Sequence, residues 1–297
     1  MEIPLDLART LAVVIDEGTF DAAARRLRLT PSAVSQRVKS LEQQLGRVLV
    51  VRSKPARATD AGAAVVRLAR QLALLEQDAL AGFGLDAASD RPVSIPLAVN
   101  ADSLGTWFLP ALARVSERYA VVFDLHRDDQ DFTAGLLESG TVMGAVTSQA
   151  TPVAGCLVQP LGVMRYQAVA TPGYVARWLP HGPTPEALAL APRVDFDRRD
   201  DLQAEYLREL GVDVEHPARH FVPASNDFAT AIKLGLGWGL LPTFQSKTEL
   251  GRRELVHLGG RPIEVPLYWQ QWNLGSALLE AIAHEIGAEA RRELTPP

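Results

Sequence analysis

The stretch Phe20-Asp-Ala-Ala-Ala-Arg-Arg-Leu-Arg-Leu-Thr-Pro-Ser-Ala-Val-Ser-Gln-Arg-Val-Lys-Ser-Leu-Glu-Gln-Gln-Leu-Gly46 constrains the fold more than any other part of this chain. Thr30 is suited to cap a helix, and Pro31 fits its first position, where no backbone donor is needed. From there Val34, Val38, Leu41 and Leu45 keep the i, i+4, i+7 spacing that predicts one buried stripe. At ~100° per residue, Ser32, Gln36, Lys39 and Gln43 gather on the opposite face, with Arg37 on the flank. These side chains can reach base edges and phosphates. Phe20, Ala23, Ala24 and Leu27 give the preceding helix a small apolar face for close packing. The pattern is a helix-turn-helix whose second helix is shaped for a major groove.

An ordinary amphipathic surface pair would show the same periodicity, and three features separate the two. The exposed face is rich in Ser, Gln and basic residues, with only Glu42 as a nearby acid. A basic hairpin-like segment follows, Val50-Val-Arg-Ser-Lys-Pro-Ala-Arg-Ala-Thr59, in which Arg52, Lys54 and Arg57 are spaced to meet phosphates or a minor groove. Charge is also segregated. Residues 1–70 hold 12 Lys and Arg against 7 Asp and Glu, while the whole chain carries −5. A basic head on an acidic body puts a nucleic-acid footprint at one end. The candidate DNA contacts are Thr30, Pro31, Ser32, Ser35, Gln36, Arg37, Lys39, Arg52, Lys54 and Arg57.

A chain of 297 residues leaves more than 200 beyond such a head, enough for further domains. Its apolar runs are all broken well short of the ~20 residues of a membrane span, so no membrane partner is expected. The start, Met-Glu-Ile-Pro-Leu-Asp, lacks the basic segment of a signal peptide, and the single Cys156 fits a reducing compartment. The expected location is the cytoplasm.

Thr59 and Asp60 can open a helix running to about Gly82, along which Val65, Leu68, Leu72, Leu75 and Ala79 form a short heptad seam. That seam serves either intramolecular packing or dimerisation, and dimerisation suits paired heads reading two half-sites. Gly82–Pro92 is rich in Gly, Asp and Pro and marks a boundary. Beyond it the pattern alternates. Strands are expected at 93–99, 120–125, 142–146, 166–170, 219–222 and 266–272. Helices are expected at 103–118, 132–138, 202–210, 227–234 and 277–291. Such alternation implies βαβ units, a mainly parallel sheet, and a ligand cleft at the carboxyl ends of strands in two α/β lobes.

The head motif Ala22-Ala-Ala-Arg-Arg-Leu…Thr30-Pro-Ser-Ala-Val-Ser-Gln-Arg-Val-Lys-Ser-Leu-Glu…Leu45-Gly resembles that of the LysR-type transcriptional regulators. Gly235-Leu-Gly-Trp-Gly-Leu-Leu-Pro242 matches the family's distal-lobe signature. Ala98–Trp107, Gly144–Thr147, Phe196–Gln203 and Leu267–Trp269 resemble, more narrowly, the ArgP/LysG branch, which senses basic amino acids and activates export genes.

The resemblance covers essentially the full chain. It implies a winged helix-turn-helix at 1–58, a linker and dimerisation helix at 59–90, and two periplasmic-binding-protein-like, Rossmann-type lobes. Lobe I spans 91–163, completed by 269–297, and lobe II spans 164–268. The implied partners are operator DNA, a second copy of the chain (as a homodimer or dimer of dimers) and RNA polymerase. The resemblance does not identify the ligand by itself; together with the carboxylates of the expected cleft, lysine or arginine is the expected effector, and no cofactor is expected.

Asn100, Asp102 and Ser103 fall where the first strand of lobe I meets its helix. Asp102 is suited to an ammonium group, and either Asp102 or Ser103 is equally suited to cap the helix. Trp107 is a pocket wall or plain core. Asp128 and Asp129 follow the second strand, and Thr147 the third. From lobe II, Asp197, Asp200, Ser225 and Asp227 are candidates for the same cleft. So many carboxylates suit a cationic ligand.

An enzyme is the first alternative. However, His126, His181, His216, His220, His257 and His284 are scattered, and no Gly-x-Ser-x-Gly elbow or phosphate loop occurs. Cys156 lies at the start of an expected strand rather than in a nucleophile setting. An exported solute-binding protein would have no use for residues 20–57. Within the regulators, a different effector or a nucleoid-type role stands as the remaining alternative.

Overall fold

The computed structural model describes residues 2–82, 92–127, 133–215 and 217–296. It opens with three helices, α1 (Leu5–Glu17), α2 (Phe20–Leu27) and α3 (Pro31–Leu45), then a two-stranded antiparallel wing of β1 (Val50–Val51) and β2 (Arg57–Ala58), and α4 (Asp60–Gly82). The predicted start and end of α4 agree with the structure. The Gly82–Pro92 break lies, apart from its end residues, outside the described residues.

Small side chains let the head close tightly. Ala8, Leu11 and Val14 of α1, Ala23 and Ala24 of α2, and Val34, Val38 and Leu41 of α3 form one core with Leu49, Val65, Val66 and Ala69. Gly62 is required where α4 begins, because a Cβ there would stand 2.0 Å from Leu49 O. Thr59 ties the same junction, accepting from Gly62 N at 3.1 Å and donating to Val48 O at 2.7 Å.

Two compact units divide the chain. The first comprises Met1–Ala98, Ala113–Val158 and Trp269–Glu285. Beyond the head it contains nearly all of β3 (Val93–Val99), the part of α6 (Leu109–Arg118) from Ala113 on, β4 (Val121–Arg127), α7 (Thr133–Glu138) and β5 (Gly144–Thr147). β3 and β5 pair in parallel, Leu97 opposite Gly144 and Ala98 opposite Ala145. Trp269 lies so close over Gly144 that a Cβ would meet its ring at 2.4 Å.

The second unit comprises Val99–Leu112, Gln159–Tyr268 and Ile286–Pro297. It takes in α5 (Ala101–Thr106), so the segment around Asp102 groups with residues of the expected lobe II. Here β6 (Cys156–Ala170) pairs antiparallel with β9 (Gly239–Pro242) and with β10 (Val256–His257). β7 (Arg193–Asp195) and β8 (Arg219–Phe221) pair in parallel. The remaining elements of this part are α8 (Pro172–Trp178), α9 (Pro185–Leu190), α10 (Leu202–Glu209), α11 (Ser225–Lys233) and α12 (Thr243–Gly251). Strand β11 (Ile263–Trp272) and helix α13 (Ala277–Glu293) run on from one unit into the other.

Two expectations are corrected. The sheet is mixed rather than mainly parallel, because the long strand β6 takes antiparallel partners. The single helix expected at 103–118 is two, α5 and α6, broken at Trp107 and Phe108. Pro110 lacks a donor and its ring excludes a carbonyl one turn back, so a continuous helix cannot pass through it. The Trp107 and Phe108 amides both turn to Ser103 O.

Candidate effector site and nucleic-acid interface

Helix α3 begins as its residues dictate. Thr30 is its N-cap, its Oγ1 accepting from Ala33 N at 3.2 Å, and Pro31 occupies the first turn. The turn before it uses Arg28 in the left-handed region, φ 54°, with its amide bonded to Ala24 and Arg25 carbonyls. With Val34, Val38 and Leu41 buried, Ser32, Gln36, Lys39 and Gln43 are exposed together, as the spacing requires. Ser35 is half-buried.

Arg37 is also half-buried, and its Nη1 donates to Thr10 Oγ1 of α1 at 3.4 Å. The Arg52 guanidinium stands over the Phe20 ring, 5.0 Å from its centre, which places it against the start of α2. Lys54 and Arg57 are exposed on the wing. Glu42, read from sequence as a stray acid on the polar face, has a definite task. Its Oε1 accepts from Leu49 N at 2.8 Å and Val50 N at 3.4 Å, holding the wing strand to the recognition helix.

In the second unit, Asp102 is the centre of a polar cluster. Its Oδ1 accepts from Ser225 Oγ at 2.6 Å and its Oδ2 from Tyr166 Oη at 2.8 Å. Ser225 in turn accepts from Gln245 Nε2 at 2.9 Å. Helices α5 and α11 meet closely here, since a Cβ on Gly105 would lie 3.3 Å from Ser225 Oγ. Burial pushes the Asp102 carboxyl up from the ordinary aspartate range, and the two hydroxyl donors pull it partly back. Among the described residues no arginine or lysine forms an ion pair with it.

The residues beside it in the chain are equally telling. Asn100 is 2 % exposed and Ser103 fully buried, yet Asn100 Oδ1 and Ser103 Oγ lack hydrogen-bond partners among the described residues. Asn100 is the N-cap of α5 without a side-chain cap bond, so neither Asp102 nor Ser103 serves as the cap. Trp107 is core, 2 % exposed and edge-on to Phe108 with ring centres 5.8 Å apart.

The other acidic candidates serve different ends. Asp200 accepts from Phe196 N at 2.9 Å and Leu202 N at 3.1 Å, shaping the loop before α10. Burial, with the Asp195 and Asp102 carboxylates adding to it, pushes its carboxyl up to about 6 against the pull of those backbone donors. Asp197 accepts from Arg199 N and Asp200 N, a turn-forming role. Asp227 is exposed on the first turn of α11. Thr147 is buried in the first unit, its Oγ1 accepting from Gln149 N at 3.1 Å. Asp128 and Asp129 lie outside the described residues. The structure thus gathers Asn100, Asp102, Ser103 and Ser225 in one unit. It adds Tyr166 and Gln245, which no local motif distinguishes because they reach Asp102 and Ser225 only through the tertiary fold.

Comparison with known proteins agrees with both halves of this arrangement. Residues 5–63 match the family model described as bacterial regulatory helix-turn-helix protein, lysR family, and residues 94–290 match the LysR substrate binding domain. The HTH-type transcriptional regulator LysG of Mycobacterium tuberculosis is 46 % identical over 280 residues, 94 % of this chain and 91 % of that protein. The lysine export transcriptional regulatory protein LysG of Corynebacterium efficiens is 44 % identical over 289 residues, 96 % of this chain and 97 % of its own. The structure of full-length LysG from Corynebacterium glutamicum with bound effector Arg superposes with a TM-score of 0.77 at 39 % identity, covering 99 % of this chain and all of that one. With a recognition helix and wing in its head and a matched substrate-binding domain behind it, this chain belongs to the LysR family of transcriptional regulators.

Proposed function

We propose that this regulator senses a basic amino acid, lysine or arginine, and controls an amino-acid export gene by binding operator DNA as a homodimer or dimer of dimers. The observation that carries the reading is Asp102, a partly buried carboxylate held by two hydroxyls and offered no cation among the described residues. A cationic ligand supplies what that site lacks. Relatives named for lysine export, and one whose structure holds arginine, support the same chemistry. The candidate DNA contacts are those of α3 and the wing named above. The exposed Leu75 and Leu80 of α4 are apolar surface for a second copy. RNA polymerase is the partner through which bound protein acts on transcription. The effector works by favouring one arrangement of the oligomer over another, which requires unequal affinity for the two.

A thermal-shift panel of the full-length protein with the twenty amino acids tests this. A ligand at about 100 times its Kd adds roughly 2.7 kcal/mol, which moves the midpoint by several degrees. A shift with lysine or arginine alone is the expected result. A shift with an acidic or aromatic amino acid instead would replace the effector while leaving the DNA-binding role in place.

A further inference from the structure

We infer that Gln245 contacts the effector directly and favours a guanidinium over an ammonium; this rests on the basic amino-acid reading above. Gln245 stands in the first turn of α12. Its Nε2 is used twice, donating to Ser225 Oγ at 2.9 Å and to Asn226 Oδ1 at 3.3 Å. That pair of bonds fixes which end of the amide is which. Its Oε1 is buried and has no hydrogen-bond partner among the described residues.

Asn100 Oδ1 and Ser103 Oγ, on either side of Asp102 in the chain, are in the same condition. A buried acceptor without a donor loses its hydration for nothing, so folded proteins seldom keep one unless another group meets it. The Ser103 hydroxyl can donate as well as accept, but the two amide oxygens, Asn100 Oδ1 and Gln245 Oε1, can only accept and are left wanting donors.

The complement of that set is a group that only donates. Ammonium and guanidinium both qualify, but they distribute their hydrogens differently. An ammonium concentrates three donors on one nitrogen, for which the Asp102 carboxylate is sufficient. A guanidinium spreads five over three nitrogens in a plane. It can present one edge to Asp102 on α5 and another to Gln245 Oε1 on α12, the two being joined through Ser225. Gln245 is therefore the acceptor that an arginine side chain uses and a lysine side chain does not need.

The test is calorimetric titration of the full-length protein and of Gln245→Leu and Gln245→Glu with L-arginine and L-lysine, each variant first checked by its melting curve. Gln245→Leu removes the acceptor, and arginine affinity is expected to fall about tenfold or more while lysine affinity changes by less than about threefold. Gln245→Glu keeps acceptor oxygens but loses both amide donors, and arginine affinity is expected to hold or tighten. Equal losses for both ligands in the Leu variant, or a Glu variant as weak as the Leu variant, would mean that Gln245 only braces Ser225. No loss in either variant would likewise overturn the inference. If Gln245→Leu does not fold, Gln245→Met, matched in length, takes its place. A wild-type protein that binds neither amino acid would sink the effector reading itself. A wild-type protein that binds both, with their ratio unmoved by substitution, sinks the Gln245 inference alone.

Discussion

A carboxylate that loses water on folding is costly unless a partner holds its charge, and Asp102 and Asp200 answer that cost differently. Asp102 keeps two hydroxyl donors, whereas Asp200 is met by two backbone amides. Asp102→Asn preserves shape and removes charge, so arginine affinity should fall by about 100-fold, the scale of leaving a buried charge without its partner. Operator binding in the absence of amino acid should stay the same. Parallel titrations with arginine and with operator DNA check both, and loss of DNA binding as well would make Asp102 structural.

Asp200 makes a prediction about acid. Its folded-state pKa of about 6 lies above the ordinary aspartate value of 3.8, so between those values the native state holds more protons than the unfolded one. Stability attributable to this group therefore falls as pH rises from 4 to 6, by on the order of 2 kcal/mol. The melting midpoint of wild type minus that of Asp200→Asn should rise as pH is lowered from 7 towards 5. A difference flat across that range would mean the carboxyl titrates normally.

Elements governed by local rules were legible in the sequence, and those governed by partners were not. α3 has a threonine cap and a proline in its first turn, α4 has a threonine at its start, and both keep an uninterrupted apolar period and lie where those signals put them. The break between α5 and α6 was written in Pro110 but masked by a continuous apolar spacing on either side. Strand β6 was foreseen only at its last five residues, since its earlier part alternates weakly and is organised by neighbours distant in sequence. α8 and α9 carry Thr-Pro starts at Thr171-Pro172 and Thr184-Pro185, the same signal as at Thr30-Pro31, and went unread because each helix is short. Of the polar cluster at Asp102, Asp102 and Ser225 were legible from strand and helix ends, while Tyr166 and Gln245 were not.

The wing offers the test at this scale. Glu42→Ala should destabilise the head by about 1–3 kcal/mol, the cost of two backbone amides losing a charged acceptor, and should weaken operator binding without changing its dependence on salt. Lys39→Ala, by contrast, should leave the fold intact and flatten the salt slope by about 1 if its ammonium meets a phosphate. Binding isotherms at several salt concentrations separate the two variants. An unchanged slope in Lys39→Ala would remove that residue from the phosphate contacts.

For a ligand to alter DNA binding, the segment that holds the head must also be held by the body that senses, and within the first unit one helix does both. On one side, α4 shares the head's core through Val65, Val66 and Ala69, and Arg70 pairs with Asp16 of α1. On the other, Arg70 Nη1 donates to Gly140 O at 2.8 Å and Thr141 O at 2.9 Å, and Arg67 Nη1 donates to Glu138 O at 2.6 Å. Those carbonyls end α7 and lead into β5, where cations are favoured by the helix dipole. Gly140, at φ 68°, is needed there, because a Cβ would fall 2.2 Å from Arg67 Cβ. The Arg67 guanidinium also lies 5.3 Å from the centre of a Trp272 ring.

Two cations on one helix thus clamp the turn between α7 and β5, and one of them is bonded to the head as well. Coupling between sites is a reciprocal free energy, so it can be measured from either end. In the wild type, operator DNA should change arginine affinity by the same factor, about 5- to 150-fold, by which arginine changes operator affinity. Arg70→Ala should bring that factor close to one while each affinity measured alone changes little. If the factor survives in Arg70→Ala and also in the Arg67→Ala, Arg70→Ala double variant, the clamp is not the route by which sensing reaches the recognition helix.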